Sequence, residues 1–362
     1  MKKKIKEIYS IIVKKIFDLI YSNLILANNI FFEKNVEIKK IYLNDTKDKS
    51  YNIYSVFNAR IYSDNSENVA VIKKNYLLPN LSIQLGKNYL LNANENKVLK
   101  TGTKKLIQKK IKGHVLSLVQ GASAINNYGH WMLDILPKLC ISEKLDNLNN
   151  FDAIYFPNIK KRFQIDSLKY FNLDQSKFID GSIISHIYAD KFTIPEHPYW
   201  KTNQYQMDTV ANVDPEIIKI LKNKFSRDIY NDSSKKLFID RSDSNFYHNQ
   251  IENYAEIDHI LKKNNFKKIK LTELSFKEQV SHFKNADIIV GAHGAGLCNT
   301  IFCKPNTKLI EISNTINKCK VFENISKINN LNYNKLVSTK QPPKNRIYPD
   351  IYVSTSELIK LI

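Results

Sequence analysis

Residues 287–303 read DIIVGAHGAGLCNTIFC, and three of the chain's nine glycines, Gly291, Gly294 and Gly296, fall within six residues around His293. The apolar run Asp287, Ile288, Ile289, Val290 has the character of a buried strand, so the glycines stand at its carboxyl edge. Open α/β sheets place their ligands at that edge. Glycine lets backbone amides approach an anion with no Cβ in the way, and a helix beginning near Gly296 aims its free N–H groups and positive dipole end at the same point. A phosphate or diphosphate suits this geometry. The alternative is a glycine turn that merely permits close packing, because G-A-H-G-A-G is not the G-x-G-x-x-G of dinucleotide sites.

A helix terminus contributes only about 0.3 to 2 kcal/mol toward an anion, too little to hold a diphosphate. Side chains must supply the rest. His293 is in the loop, Arg241 ends the strand KLFID on the same expected edge, and Lys304 lies just beyond the helix. Ala295 and Asn299 complete the candidate segment. Glu311, at the end of the next strand TKLIEIS, is placed to accept hydrogen bonds from a ribose diol, or else is an ordinary strand-end charge.

Working outward, strand and helix alternate: KKLFID, NYAEIDHILKKNN, KKIKL, SFKEQVSHFKN, ADIIVG, TKLIEIS. Ser275 and Glu278 form a capping box that starts the fourth of these. Repeating β and α units predict a parallel sheet with helices on its faces, a Rossmann-like domain. Upstream, residues 35–120 show short apolar segments separated by Asn, Asp, Lys and Gly, read as strands and turns. The 362 residues suit two domains. The polar stretch EHPYWKTNQYQMDTVANVDPE, 196–216, is the expected linker. The boundaries follow as residues 1–30 for a basic amphipathic helix, 31–205 for an N-terminal domain and 206–362 for a C-terminal domain. The last helix is left free to pack back on the N-terminal domain.

Hydrophobic residues make up 43% and charged residues 25% of the chain, which excludes a disordered polymer. The formal charge of +20 suits an acidic partner: nucleic acid, anionic lipid or a phosphorylated metabolite. The aromatics are spread through predicted strands rather than interleaved with Arg in one patch, which argues against a nucleic-acid binder. Cys140, Cys298, Cys303 and Cys319 lack metal-ligand spacing and do not suggest a disulfide framework. Cys298 and Cys303 flank the apolar face of a short helix as small buried hydrophobes.

In MKKKIKEIYSIIVKKIFDLIY, Lys14, Lys15 and Asp18 interrupt the apolar stretch before it reaches spanning length. Ile5, Ile8, Ile12, Ile16, Leu19 and Ile20 recur near a 3.6 period, with Lys4, Lys14 and Lys15 off that stripe. Such a helix either docks on an anionic membrane surface or packs on the body of the protein.

A second constellation lies in NNYGHWMLDILPKL, residues 126–139. His130 and Asp134 are four apart on an expected helix and share a face, where a carboxylate can orient an imidazole as a general base. Pro137 is expected to bend that helix.

The segments NNYGHWMLDILPKL and ADIIVGAHGAGLCNTIFCKPNTKLIEIS, in this order and with FIDRSDSNFYHNQIENYAEI and LSFKEQ between them, resemble glycosyltransferase family 61 over roughly residues 110 to 315. The family's H-W-x-x-D-x-L-P element matches His130 to Pro137, and its G-x-H-G-A-G-L-x-N-x-x-F element matches Gly291 to Phe302. The resemblance implies a GT-B architecture, two Rossmann-like domains facing a central cleft. It implies inverting transfer of a hexosyl or pentosyl group from a nucleotide sugar, UDP-linked in expectation, to a glycan or lipid-linked oligosaccharide hydroxyl, without a metal or other cofactor. Catalysis would fall to His130 and Asp134, and donor binding to Arg241, Gly291, His293, Gly294, Ala295, Gly296, Asn299 and Glu311. The chain looks like the bacterial members that build capsule or lipopolysaccharide, in the cytoplasm or peripherally on the inner face of its membrane. A pyruvyl or other group transferase on a similar scaffold is the alternative. One departure stands out. The family's further Arg shortly before the Asn matched by Asn253 is replaced here by Asn249 and Gln250, which leaves Lys304 or His248 to substitute.

Overall fold

The computed structural model describes residues 2–45, 47–64, 69–85, 90–121, 126–201, 203–204, 212–227, 234–242, 249–340 and 350–362, with 2–7 and 85 by their backbone only. The chain forms two compact units, Met1–Lys160 with Phe171–Val210, and Lys161–Tyr170 with Ala211–Ile362.

The first unit holds strands β1 (Ile25–Leu26), β2 (Val36–Tyr42), β3 (Ser50–Ser63), β4 (Val69–Lys73), β5 (Tyr76–Leu77), β6 (Gln84–Leu85), β7 (Leu91–Asn92), β8 (Lys109–Ser117), β9 (Ala153–Phe156), β10 (Phe178–Asp180) and β11 (His186–Pro195). Nine of them form one sheet in the order β1-β5-β4-β3-β11-β8-β9-β10, with β2 also on β3. Its two halves differ. β2, β3 and β4 pair antiparallel and β3 meets β11 antiparallel, whereas β11, β8, β9 and β10 run parallel. This mixed sheet departs from the Rossmann-like N-terminal domain that was expected, since only the parallel half is of that kind. Its core is apolar: Val56, Ile61, Val71, Val115, Phe192 and Ile194 are fully buried. Each such side chain contributes about 1.5 to 3 kcal/mol relative to exposure.

The connection from β8 to β9 is a helix in three parts, Tyr128–His130, a π turn over Trp131–Ile135, and Leu136–Glu143. Asn127 caps it, its side chain accepting from the N–H groups of Gly129 and His130. Pro137 explains the π turn. It has no N–H and its ring excludes the carbonyl four residues back, so the preceding turn widens where a bend was expected.

The second unit holds β12 (Lys236–Asp240), β13 (Lys267–Lys270), β14 (Ile288–Ala292), β15 (Lys308–Ser313) and β16 (Asn332–Val337). All are parallel, in the order β13-β12-β14-β15-β16. That order is doubly wound, and the chain reverses its direction of travel between β12 and β14. Phe238, Val290 and Ile310 fill the core from the sheet, against Ile257 and Leu261 of the helix Tyr254–Lys263. The expected capping box of Ser275 and Glu278 starts the helix Phe276–Asn285. The last helix, Thr355–Leu361, seats Leu358 in this unit's own core.

Candidate functional site

In the second unit the loop after β14 and the residue after β12 leave the sheet at the point where the strand order reverses, the place where open α/β sheets bind their ligands. Gly291 lies within β14, opposite Ile239 and Glu311, so the loop proper is residues 293–296. A short 3-10 helix, Ala295–Phe302, follows with Gly294 as its N-cap. Its first N–H groups lack intrahelical partners, as at any helix start.

The glycines are closely enclosed by side chains. A Cβ on Gly294 would lie 2.5 Å from the Arg241 Cζ, one on Gly296 2.6 Å from a Leu271 methyl, and one on Gly291 3.1 Å from a Leu297 methyl. Gly294 thereby lets the Arg241 guanidinium lie flat on the loop, where its Nη1 donates to the carbonyl of His293. Asn249 donates to the same carbonyl at 3.5 Å and accepts from Asn314 at 2.7 Å. The His293 N–H donates to the Ile312 carbonyl at 2.8 Å. From behind, the fully buried Asn299 donates to Gln279 and to the Gly296 carbonyl, both at 3.2 Å. The loop is therefore pinned on both sides.

His293 and Glu311 form the charged centre. The imidazole Nδ1 is 2.6 Å from Glu311 Oε1, and Tyr333 donates to Oε2 at 2.7 Å. Glu311 is 1% exposed, with both oxygens hydrogen-bonded inside the protein. Burial is the largest influence on His293 and lowers its pKa, but hydrogen bonds and charge from Cys319 and Glu311 outweigh it. The net result is above the ordinary histidine value. A carboxylate that holds an imidazole protonated makes a cation of it.

Arg241, His293, Gly294 and Glu311 thus come together. Lys304 does not: it pairs with Asp287 at 2.5 Å, before the start of β14 and so at the opposite edge of the sheet. His248 lies outside the described residues.

In the first unit, β8 and β11 run side by side in parallel, and both chains leave at their shared carboxyl edge. His130 follows β8 and the segment His197–Trp200 follows β11. His130 Nδ1 lies 3.0 Å from Asp134 Oδ2, and the Tyr199 hydroxyl donates to Oδ1. His197 Nε2 lies 3.7 Å from Oδ2, and its Nδ1 accepts the Trp200 N–H at 3.0 Å. That acceptor role puts the His197 proton on Nε2, toward the carboxylate. Gly121, at φ +68°, makes room: a Cβ there would lie 2.2 Å from the His197 ring.

Burial, the largest influence, raises the Asp134 pKa. The charge and hydrogen bonds of His130 and His197 more than reverse it, taking the group below the usual carboxylate range. An ionised carboxylate only accepts, so in the neutral His130 imidazole the proton sits on Nδ1 and the lone pair on Nε2. Asp134 is fully buried, whereas the His130 side chain is 26% exposed. Lys138, one turn on and also fully buried, donates to the carbonyls of Leu118 and Gln120. Burial lowers its pKa to about 7 against the attraction of Asp134.

The stretch 196–216, expected as linker, therefore begins as core: His197, Tyr199 and Trp200 are buried. An aromatic run directly after a β-strand was the available signal. For Lys138 it was the second step of four from His130 through Asp134.

A family model described as Glycosyltransferase 61 matches residues 128–310, half of the 362 residues. A beta-1,2-xylosyltransferase from Arabidopsis thaliana is 38% identical over 66 residues, 18% of this chain and 12% of that protein. This chain is thus similar to about an eighth of that relative's length.

Proposed function

The chain belongs to glycosyltransferase family 61, and from that premise we propose that it transfers a sugar from a nucleotide-sugar donor to a glycan hydroxyl, with inversion. The acceptor is a cell-surface polysaccharide or its lipid-linked precursor, and the setting is the cytoplasm. The donor is UDP-linked, and the two units act as the halves of a GT-B enzyme. The observation that carries the reading is the meeting of Arg241 and His293 on a pinned backbone loop at the reversal point of a parallel sheet.

Two cationic groups and the adjacent backbone amides supply what a leaving diphosphate requires, without a metal. Cys319 and Glu311 favour the protonated form of His293. The missing family Arg is answered here by Asn249, which fixes the loop carbonyl rather than adding charge.

His130 is the base and Asp134 its orienter. The His130 Nε2 takes the acceptor hydroxyl's proton as that oxygen attacks the anomeric carbon, and the bond from that carbon to the diphosphate breaks. Asp134, sealed from solvent, holds the imidazole in the required tautomer and stabilises the imidazolium formed.

Incubating the protein with a panel of nucleotide sugars and a mixed glycan acceptor set tests the reading. Donor-dependent glycosylated product is the expected result. Absence of product, together with no calorimetric affinity for any nucleoside diphosphate, would overturn it.

A further inference from the structure

The helix Lys2–Tyr21 has two faces with different fates. One face is fixed to the first unit. Phe17 is fully buried, seated under Gly102, whose Cβ would lie 2.5 Å from the ring. The Tyr21 hydroxyl donates to the Leu106 carbonyl, and the Arg60 guanidinium lies 4.0 Å from the Tyr21 ring centroid.

The opposite face is open and largely apolar, with exposed Lys15 among its apolar side chains. Ile8, Tyr9, Ile11, Ile12, Ile16, Leu19 and Ile20 are all exposed, from 40% at Ile16 to 87% at Leu19. At 3.6 residues per turn these seven fall within about half the circumference, centred opposite Phe17. Ile25 and Ile30, just beyond the helix, are exposed as well. From Ile8 onward the stripe expected from the sequence is presented outward, because Phe17 and Tyr21, off that stripe, make the contact with the body, while the Ile5 side chain lies outside the described residues.

Charge decides what covers it. By sequence the helix carries six lysines, Lys2, Lys3, Lys4, Lys6, Lys14 and Lys15, against Glu7 and Asp18, with Lys14 paired to Asp18, in a chain of formal charge +20. A second copy laid on this face would bring like charges together, whereas an anionic bilayer neutralises them. No described helix is long and apolar enough to cross a membrane. We propose that this helix docks in the plane of an anionic phospholipid surface, its seven apolar side chains in the headgroup–acyl boundary and its net positive charge drawn to lipid phosphates.

The inference does not rest on the transferase reading, because its test contains neither donor nor acceptor. The full chain is sedimented with vesicles of phosphatidylcholine alone and of phosphatidylcholine mixed with phosphatidylglycerol. Binding to the mixed vesicles, weaker binding to the neutral ones and a fall with added salt are expected. The double variant I12E/L19E, at two exposed positions, should keep its melting temperature and lose at least about tenfold in partition. Three results would overturn the proposal: wild type left in the supernatant with mixed vesicles, a variant that binds as wild type does, or lipid-free sedimentation velocity showing a dimer that the variant dissociates.

Discussion

Glu311 holds His293 across 2.6 Å from inside the sheet, a buried carboxylate that acts with the Cys319 hydrogen bond to favour the protonated imidazole at the loop. Removing His293 as alanine should raise the dissociation constant for a nucleoside diphosphate by about ten- to a hundredfold, the range for a charge-assisted hydrogen bond. Isothermal calorimetry reads this directly. Unchanged affinity would remove His293 from the donor site.

The same pair sets a pH dependence. Glu311 and Cys319 place the His293 pKa above the ordinary histidine value, so the binding cation persists past that pH and is lost as pH rises through the raised pKa. Diphosphate affinity should therefore weaken on the alkaline side, and the loss should move to lower pH in Glu311→Gln. A Glu311→Gln profile superposable on wild type would refute the coupling.

Gly294→Ala would put a Cβ within 2.5 Å of the Arg241 guanidinium and turn it off the His293 carbonyl. Because Arg241 is the far end of a flexible side chain, the fold should persist while diphosphate binding weakens by roughly tenfold or more. A parallel melting curve separates the two effects. Full affinity in the alanine variant would show that the position of Arg241 does not matter.

His130→Ala should lower the transfer rate by about 10² to 10⁴ with donor affinity kept. Asp134→Asn should also be slow, for another reason: the amide can donate toward Nδ1 and so favours the wrong tautomer. Single-turnover rates at saturating donor measure both. If Asp134→Asn alone were inactive, the assignment of base and orienter would be reversed.

Acid should unfold the first unit early. Burial, ahead of their neighbours' effects, lowers the pKa of His186 and of His197 to about 4. The unfolded imidazoles take up protons near pH 6.5, so between about 6.5 and 4 the unfolded chain binds more protons and stability falls as pH falls, by on the order of 3 kcal/mol per group. Lys138, at about 7 when folded, acts above neutrality, where stability should rise with pH toward its ordinary value of 10.5. Urea midpoints across the range should show both slopes, and Lys138→Met should flatten the alkaline one.

Periodicity and glycine placement were enough to read the second unit. A doubly wound sheet repeats local β and α signals, and the ligand edge follows from where the strands end. His130 with Asp134 was also legible, since four residues on a helix put two side chains on one face whatever surrounds them. What each member of a pair does was not. Glu311 looked like a ribose acceptor because a strand end can be open or closed, and only the packing of Tyr333 and His293 against both its oxygens closed it. Lys304 was near the loop in sequence and across the sheet from it in space, because a five-residue strand separates the two edges. His197 and Tyr199 reach Asp134 from 63 and 65 residues away, a pairing set by the register of β11 on β8 rather than by any local pattern. The sequence by itself determined which segments are strands and helices and where the glycines cluster, for these depend on near neighbours along the chain. Which carboxylates are sealed and which imidazoles stay open was decided only by the tertiary structure, because burial and charge pairing depend on groups that folding brings together.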